Sequence, residues 1–190
     1  MKIEIQLNKK SIQNAIKLLN QQKKTLTDKA IPEFIEKAAQ WIEDEADNII
    51  SKSDIGENVK SYLQSSWMID RVSPHHIILR NISRKAAYVE FGVGIIGQSS
   101  QHPNADKTGY EYNVDSGYKF GQGMWRFSIE DKSELDLPDD AIIYETYSEN
   151  GVDIITQGTQ GVWYLFNAME NFKLNKAQSL WEEIKKKYWG

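Results

Sequence analysis

Residues Tyr88–Gly97 read YVEFGVGIIG, and the glycines in this stretch decide how the middle of the chain folds. Gly92, Gly94 and Gly97 have the spacing G-x-G-x-x-G after a strand-like run, a pattern with which a backbone approaches a dinucleotide pyrophosphate. In such folds a helix begins at the third glycine, and its amide groups hold the phosphates. Here the third glycine is followed by QSSQHPNADKTGY, which has no apolar period and contains a proline. We therefore expect these glycines to let a strand continue into an irregular loop.

The composition is that of an ordinary globular chain. Of its 190 residues, 40% are hydrophobic and 26% are charged, which predicts a single domain over residues 1–190. The absence of cysteine excludes disulfides, thiolate nucleophiles and cysteine-bearing zinc sites. A net charge of −4 does not fit a protein that wraps nucleic acid, because such binding needs many Lys or Arg contacts to phosphate. With no signal-peptide pattern and no apolar run of membrane-spanning length, we expect a cytoplasmic protein without membrane or sequence-specific nucleic-acid partners.

Hydrophobic periodicity predicts an α+β fold. Alternation at residues 3–7 indicates a short strand, and helical spacing indicates one helix from Ser11 and a second from about Asp28. Residues 66–72 and 76–81 flank SPHH and predict a hairpin. We expect the N-terminal strand and helices to pack on a small antiparallel sheet, with a C-terminal helix from about Val162.

A long excursion interrupts this pattern at about residues 94–160, where Gly, Ser, Asn and Asp are frequent. Within it, AIIYETYSENGVDIITQG contains two strand-like runs around Asn150-Gly151, the strongest short hairpin signal in the chain. The rest of the excursion is expected to be a projecting loop.

Glu90 is the first candidate for chemistry. In a strand, alternation places it on the face opposite Val89 and Phe91. A carboxylate that acts as a general acid usually needs a second titratable group in reach, and the spacing shows none. The favoured interpretation is a carboxylate that is solvated or paired with Arg84 or Lys85.

The three histidines give a weak metal pattern. His75 and His76 are adjacent, so in a strand they point to opposite faces and cannot share an ion without distortion. A site that combines the histidines, including His102, with Asp106 or Asp115 is conceivable, but turn and surface histidines are the favoured interpretation.

Two segments carry a resemblance to a known family. AAYVEFGVG occupies Ala86–Gly94, and GVWYLFNAMENF occupies Gly161–Phe172 at the start of the terminal helix. With the order strand, helix, helix, hairpin before them, they resemble the small head-tail joining or tail-completion proteins of long-tailed bacteriophages and prophages. In that family an Ala-Tyr-x-x-Glu-x-Gly-like strand end occurs with a later aromatic-leucine-x-x-Ala segment, and both are present here.

The resemblance implies a virion assembly protein without catalytic activity, cofactor or metal. Such proteins form rings, often hexameric, where the portal complex meets the tail tube, and many are monomers before assembly. The implied partners are connector and tail-tube proteins, and the implied locations are the virion and the host bacterial cytoplasm during assembly. The residues expected to have interface or structural roles are the strand end, Tyr88, Glu90, Phe91 and Gly92, and the loop anchors, Tyr118, Phe120, Trp125 and Phe127.

Two other classes of function stay open. The aromatic loop would suit a module that binds carbohydrate or a component of the cell envelope, and ligand binding should then quench the fluorescence of Trp125. A metal-dependent nuclease or hydrolase would use Glu90, His102 and Asp106 and should bind a divalent cation tightly.

Overall fold

The computed structural model describes residues 9–112, 118–119, 125–129, 142–148 and 151–190. The protein is α+β, as the sequence predicts, with long helices near both ends and small sheets between them. The strand predicted at residues 3–7 lies outside the described residues. The helices are α1 Lys9–Thr25, α2 Ile31–Lys52, α3 Glu57–Gln64, α4 Ala86–Phe91, α5 Gly94–Ser99, α6 Ala105–Thr108, α7 Tyr164–Asn171 and α8 Ala177–Trp189.

The strands form three sheets. The orders are β1-β2, β3-β8 and β4-β5-β7-β6, and the pairings of the last two sheets are antiparallel. The strands are β1 Trp67–Ser73, β2 His76–Asn81, β3 Gly92–Val93, β4 Tyr118–Lys119, β5 Trp125–Ile129, β6 Ile142–Ser148, β7 Gly151–Thr156 and β8 Gly158–Gln160. Both predicted hairpins are confirmed, β1-β2 and β6-β7, and Ser148 pairs with Gly151 across the second turn.

Three sequence predictions are wrong in detail. The run that contains Tyr88–Phe91 forms the helix α4 instead of a strand, because six residues suit either period and Gly92, at φ 80°, ends the helix. The helix α3 was not predicted, although Val59 and Leu63 repeat at helical spacing and are buried. Outside the predicted hairpin β6-β7, the described parts of the 94–160 excursion contain two short helices and three further strands, where a projecting loop was expected.

The chain divides into two compact units, which are described separately. The first comprises residues 1–42, 69–79 and 169–190, and the second comprises residues 43–68 and 80–168. The single domain expected from the sequence stays a prediction.

The first unit has an aromatic core. Phe34 lies edge-on to Trp181 with ring centroids 5.8 Å apart, and Phe172 contacts both Phe34 and Trp41. Short π-helical segments connect α1 to α2 and α7 to α8, and each contributes a buried residue, Ala30 in one and Phe172 in the other. The core is completed by the buried residues Ala38, Leu180 and Ile184.

An ion-pair group borders this core. The Glu33 carboxylate accepts hydrogen bonds from Lys187 at 2.7 Å and from Tyr188 at 2.8 Å, and Lys37 lies 3.4 Å away. These donors, Lys187 first, lower the pKa of Glu33 to about 2. The group therefore links the start of α2 to the end of α8.

The second unit joins α2, α3 and β1 through Asp47. The Trp67 indole donates to the Asp47 carboxylate at 2.7 Å, and the Gln64 amide donates to the Asp47 carbonyl at 3.3 Å. Trp67 also lies edge-on to Tyr164, whose side chain is buried at the start of α7. Burial raises the pKa of the Tyr164 phenol, with a smaller contribution from the Glu90 charge.

Candidate functional site

Glu90 caps a helix that is distant in sequence. Its two carboxylate oxygens accept the backbone N–H of Leu165 at 2.8 Å and of Phe166 at 2.9 Å. These amides lie in the first turn of α7, where backbone donors have no partner inside the helix. A carboxylate at this end also interacts favourably with the helix dipole. The side chain of Glu90 is therefore a helix cap supplied by α4, and it is almost fully buried at 7% exposure.

His102 completes this arrangement in one definite protonation form. Its Nε2 lies 3.0 Å from Glu90 Oε1, and its Nδ1 accepts the backbone N–H of Asn104 at 3.0 Å. Because a backbone N–H can only donate, Nδ1 carries no proton, and the neutral ring donates its Nε2–H to Glu90. We call the Glu90 carboxylate, the His102 ring and the amides of Leu165 and Phe166 the Glu90 cap.

Aromatic side chains enclose the Glu90 cap. The His102 ring lies 4.4 Å from the Phe91 ring and 5.1 Å from the Phe166 ring, centroid to centroid. The Tyr112 hydroxyl accepts the backbone N–H of His102 at 2.8 Å. Such an apolar enclosure keeps water from competing for these hydrogen bonds, which makes them stronger than in solvent.

The backbones on either side of the cap are paired. Val162 donates to the Val89 carbonyl at 2.7 Å, and Trp163 donates to the Glu90 carbonyl at 3.1 Å. The pairing continues into β3 and β8, where Gly92 is opposite Gln160. Residues 92–94 thus pair antiparallel with residues 158–160, and two further backbone hydrogen bonds join the end of α4 to residues 162 and 163.

The glycines of YVEFGVGIIG are required by this backbone contact. A Cβ on Gly92 would lie 2.5 Å from the Gly161 nitrogen, and one on Gly161 would lie 2.5 Å from the Glu90 carbonyl oxygen. Gly97, which was expected in an irregular loop, lies inside α5, and a Cβ there would be 2.8 Å from the Gly92 carbonyl carbon. The space that a pyrophosphate would need beside these glycines is filled by residues 159–161.

The four predicted residues of the first segment come together in this region. Glu90 is neither solvated nor paired with Arg84 or Lys85, because its helical position turns the carboxylate toward α7 and His102. Phe91 stacks on Tyr110 with centroids 4.5 Å apart, and Gly92 is buried. Tyr88 is 48% exposed.

The four predicted loop anchors are only partly described. Tyr118 lies in β4, and Trp125 and Phe127 lie in β5, where Trp125 pairs with Thr156 of β7. The side chains of these three residues and the whole of Phe120 lie outside the described part of the chain, so their interface role stays a prediction.

Sequence reasoning missed two aromatic residues of the site. Tyr110 donates its hydroxyl to the Gly92 carbonyl at 2.7 Å, and burial raises the pKa of this phenol to about 12. Trp163 has φ 55°, rare for a large side chain, and its buried indole N–H has no hydrogen-bond partner. The only sequence signal for Trp163 is its place between Gly161 and the apolar period of α7.

Two of the three histidines have hydrogen-bond partners within the fold. Both ring nitrogens of His102 have partners, and His75 donates its Nε2 proton to the Thr27 carbonyl at 2.6 Å. Asp106 is exposed on α6. Among the residues that the structure describes, no three His, Asp or Glu side chains are grouped to hold a metal ion. No helix in that part of the chain is long and apolar enough to cross a bilayer.

Comparison of this chain with protein-family models, with curated proteins and with solved structures finds no match. The described residues define an α+β protein in which a buried carboxylate, itself bound by a neutral imidazole, holds the start of the helix α7.

Proposed function

We propose that this chain is a virion assembly protein of a phage or prophage, a ring-forming subunit at the head-tail junction or the tail end. The observation that carries the proposal is the Glu90 cap. It joins AAYVEFGVG to GVWYLFNAMENF, the two segments on which the resemblance to tail-completion proteins rests. Glu90 and its partner amides are 75 and 76 residues apart in sequence, and their hydrogen bonds bring the two segments into contact.

The chemistry of the cap supports an architectural function. Both oxygens of Glu90 and both ring nitrogens of His102 are used within the fold. For His102 to act as a general base, Nδ1 would have to exchange its bond with Asn104 for a proton. These hydrogen bonds fix the start of α7 and leave neither side chain free to act as an acid or a base. This is what we expect of a subunit with a structural role.

The proposed partners are the connector and tail-tube proteins and further copies of this chain. The subunit would act in the host bacterial cytoplasm during assembly and remain in the virion. Rings multiply weak contacts between subunits into a stable joint, so no single interface has to be strong.

The experiment is a deletion of the gene in the phage or prophage that encodes it, followed by electron microscopy of lysates. DNA-filled heads beside unattached or overlong tails are expected, and a restored gene should return complete particles. A gene with Glu90→Ala should fail to restore them, whereas one with Glu111→Ala, a change at an exposed carboxylate, should succeed. Complete infectious particles from the deletion strain would overturn the proposal and redirect attention to carbohydrate binding by the aromatic segment.

A further inference from the structure

The helix α1 exposes an apolar strip. Ile12, Ile16 and Leu19 repeat at the spacing i, i+4 and i+7, which places them on one face, and each is more than 40% exposed. Ala15, which lies at the edge of this strip beside Ile12 and Leu19, is buried. The helix thus packs along one side and leaves a second apolar strip open, the kind of surface that marks an interaction site.

The same helix is strongly basic. It contains five lysines and no Asp or Glu, and Lys10, Lys17 and Lys24 recur every seven residues, so they form one exposed line along the helix, about a third of a turn from the apolar strip. The whole chain carries −4, so without the five charges of α1 the rest of the chain carries −9. A basic, partly apolar helix is therefore attached to an acidic protein. We call the exposed side of α1, which carries both the strip of Ile12, Ile16 and Leu19 and this line of lysines, the α1 face.

A complementary surface exists on α2. The stretch Glu43–Asp47 contains four carboxylates. Burial, followed by the charges of Asp47 and Asp44, raises the pKa of Glu43, and burial is also the main cause of the raised pKa of Asp47. Negative charge is thus crowded there, and added positive charge would stabilise the ionised forms.

We propose that the α1 face docks on the stretch Glu43–Asp47 of a second copy of this chain. Because the two surfaces are different, the contact is head-to-tail, and successive contacts form a ring when the rotation between subunits closes. The inference names the subunit contact of the ring described above, and in that respect it rests on the proposed function.

A second copy fits the charges better than the other anionic partners of a basic helix. Nucleic acid or an anionic lipid surface would attract α1 but repel the remainder of the chain, which carries −9. A second copy is attracted through both surfaces. It also covers the apolar strip, which a phosphate backbone cannot do.

The test is sedimentation velocity at rising protein concentration up to about 1 mM, since a weak contact has a dissociation constant of that order. The wild type should associate at about 0.05 M salt and dissociate at about 1 M, where charges are screened beyond about 3 Å. Lys17→Glu/Lys24→Glu should weaken association roughly tenfold or more, because two attractions become repulsions. Lys107→Glu/Lys186→Glu, with the same change in net charge, should associate as the wild type does.

A mixing experiment identifies the acceptor surface. Glu43→Lys/Asp44→Lys should also lose self-association, and an equimolar mixture with Lys17→Glu/Lys24→Glu should regain it, since each reversed surface then meets an opposite charge. Lys and Glu have similar helix propensities, so circular dichroism should show unchanged helix content.

Three results would overturn the inference: a wild type that stays monomeric at low salt, lysine variants that associate like the control, or a mixture that fails to associate. Binding to vesicles of phosphatidylserine and phosphatidylcholine without self-association would assign the α1 face to a membrane instead. These results are separate from the deletion phenotype. If the gene deletion gave tail defects but Lys17→Glu/Lys24→Glu associated like the wild type, the proposed function would stand and the ring contact would lie on another surface.

Discussion

Removing the Glu90 carboxylate should destabilise the second unit by an amount that depends on the replacement. In Glu90→Ala, the amides of Leu165 and Phe166 and the Nε2–H of His102 lose their acceptor in a partly or fully buried place. Unpaired buried donors cost about 1 kcal/mol or more each, so we expect a loss of about 3 kcal/mol in unfolding free energy. In Glu90→Gln the amide oxygen can replace Oε1, and only the bond to Leu165 is lost, for about 1.5 kcal/mol.

Urea unfolding followed by circular dichroism and tryptophan fluorescence measures both values. With a slope of about 2 kcal/mol per M, Glu90→Ala should lower the midpoint by about 1.5 M and Glu90→Gln by about half as much. The matched control is Glu111, which is exposed, and its Ala and Gln variants should stay within about 0.5 kcal/mol of the wild type. If Glu90→Ala lost no more than this control, the carboxylate would not hold α7, and the cap would be refuted.

Two further predictions concern other parts of the chain. The hydrogen bond from Lys187 is the main cause that lowers the pKa of Glu33 to about 2. The ionised Glu33 therefore contributes to the free energy of unfolding above its ordinary pKa of about 4.5, and this contribution is lost as the pH falls toward 2. Glu33→Gln should lower stability at neutral pH by about 1 kcal/mol, because Lys187 is exposed, and this difference should vanish in thermal melts near pH 2; a difference that persists there would contradict the assignment. Gly92→Ala should lower the free energy of unfolding several times more than Gly109→Ala does, or prevent folding of the segment. Both glycines have positive φ, but only at Gly92 would the new Cβ lie within 3 Å of other backbone atoms. Equal losses in urea unfolding would show that backbone strain alone decides.

The parts of the fold that follow from periodicity could be predicted, and the parts that depend on distant contacts could not. The stripe of α2 repeats over more than five turns, so its helix was clear. The six residues of α4 fit two periods equally, and the choice was made by hydrogen bonds to residues 162–166. The favoured interpretation of His102 as a turn or surface histidine is wrong, since the residue is 5% exposed and its ring contacts Glu90; a separation of 12 residues across an irregular segment gives no periodic signal for this contact.

The wide separation within the Glu90 cap has a consequence for the order of folding. Glu90 and its helix amides are 75 and 76 residues apart, so closing this loop costs about 4 kcal/mol of chain entropy before any bond forms. During synthesis, α4 leaves the ribosome long before Leu165, and Glu90 has to wait for its partner amides. Completion of the second unit is therefore a late event, and a nascent chain that stops before α7 exposes a carboxylate that is meant to be buried. Chains of this kind should fold slowly for their size, because contacts of high sequence separation govern the rate.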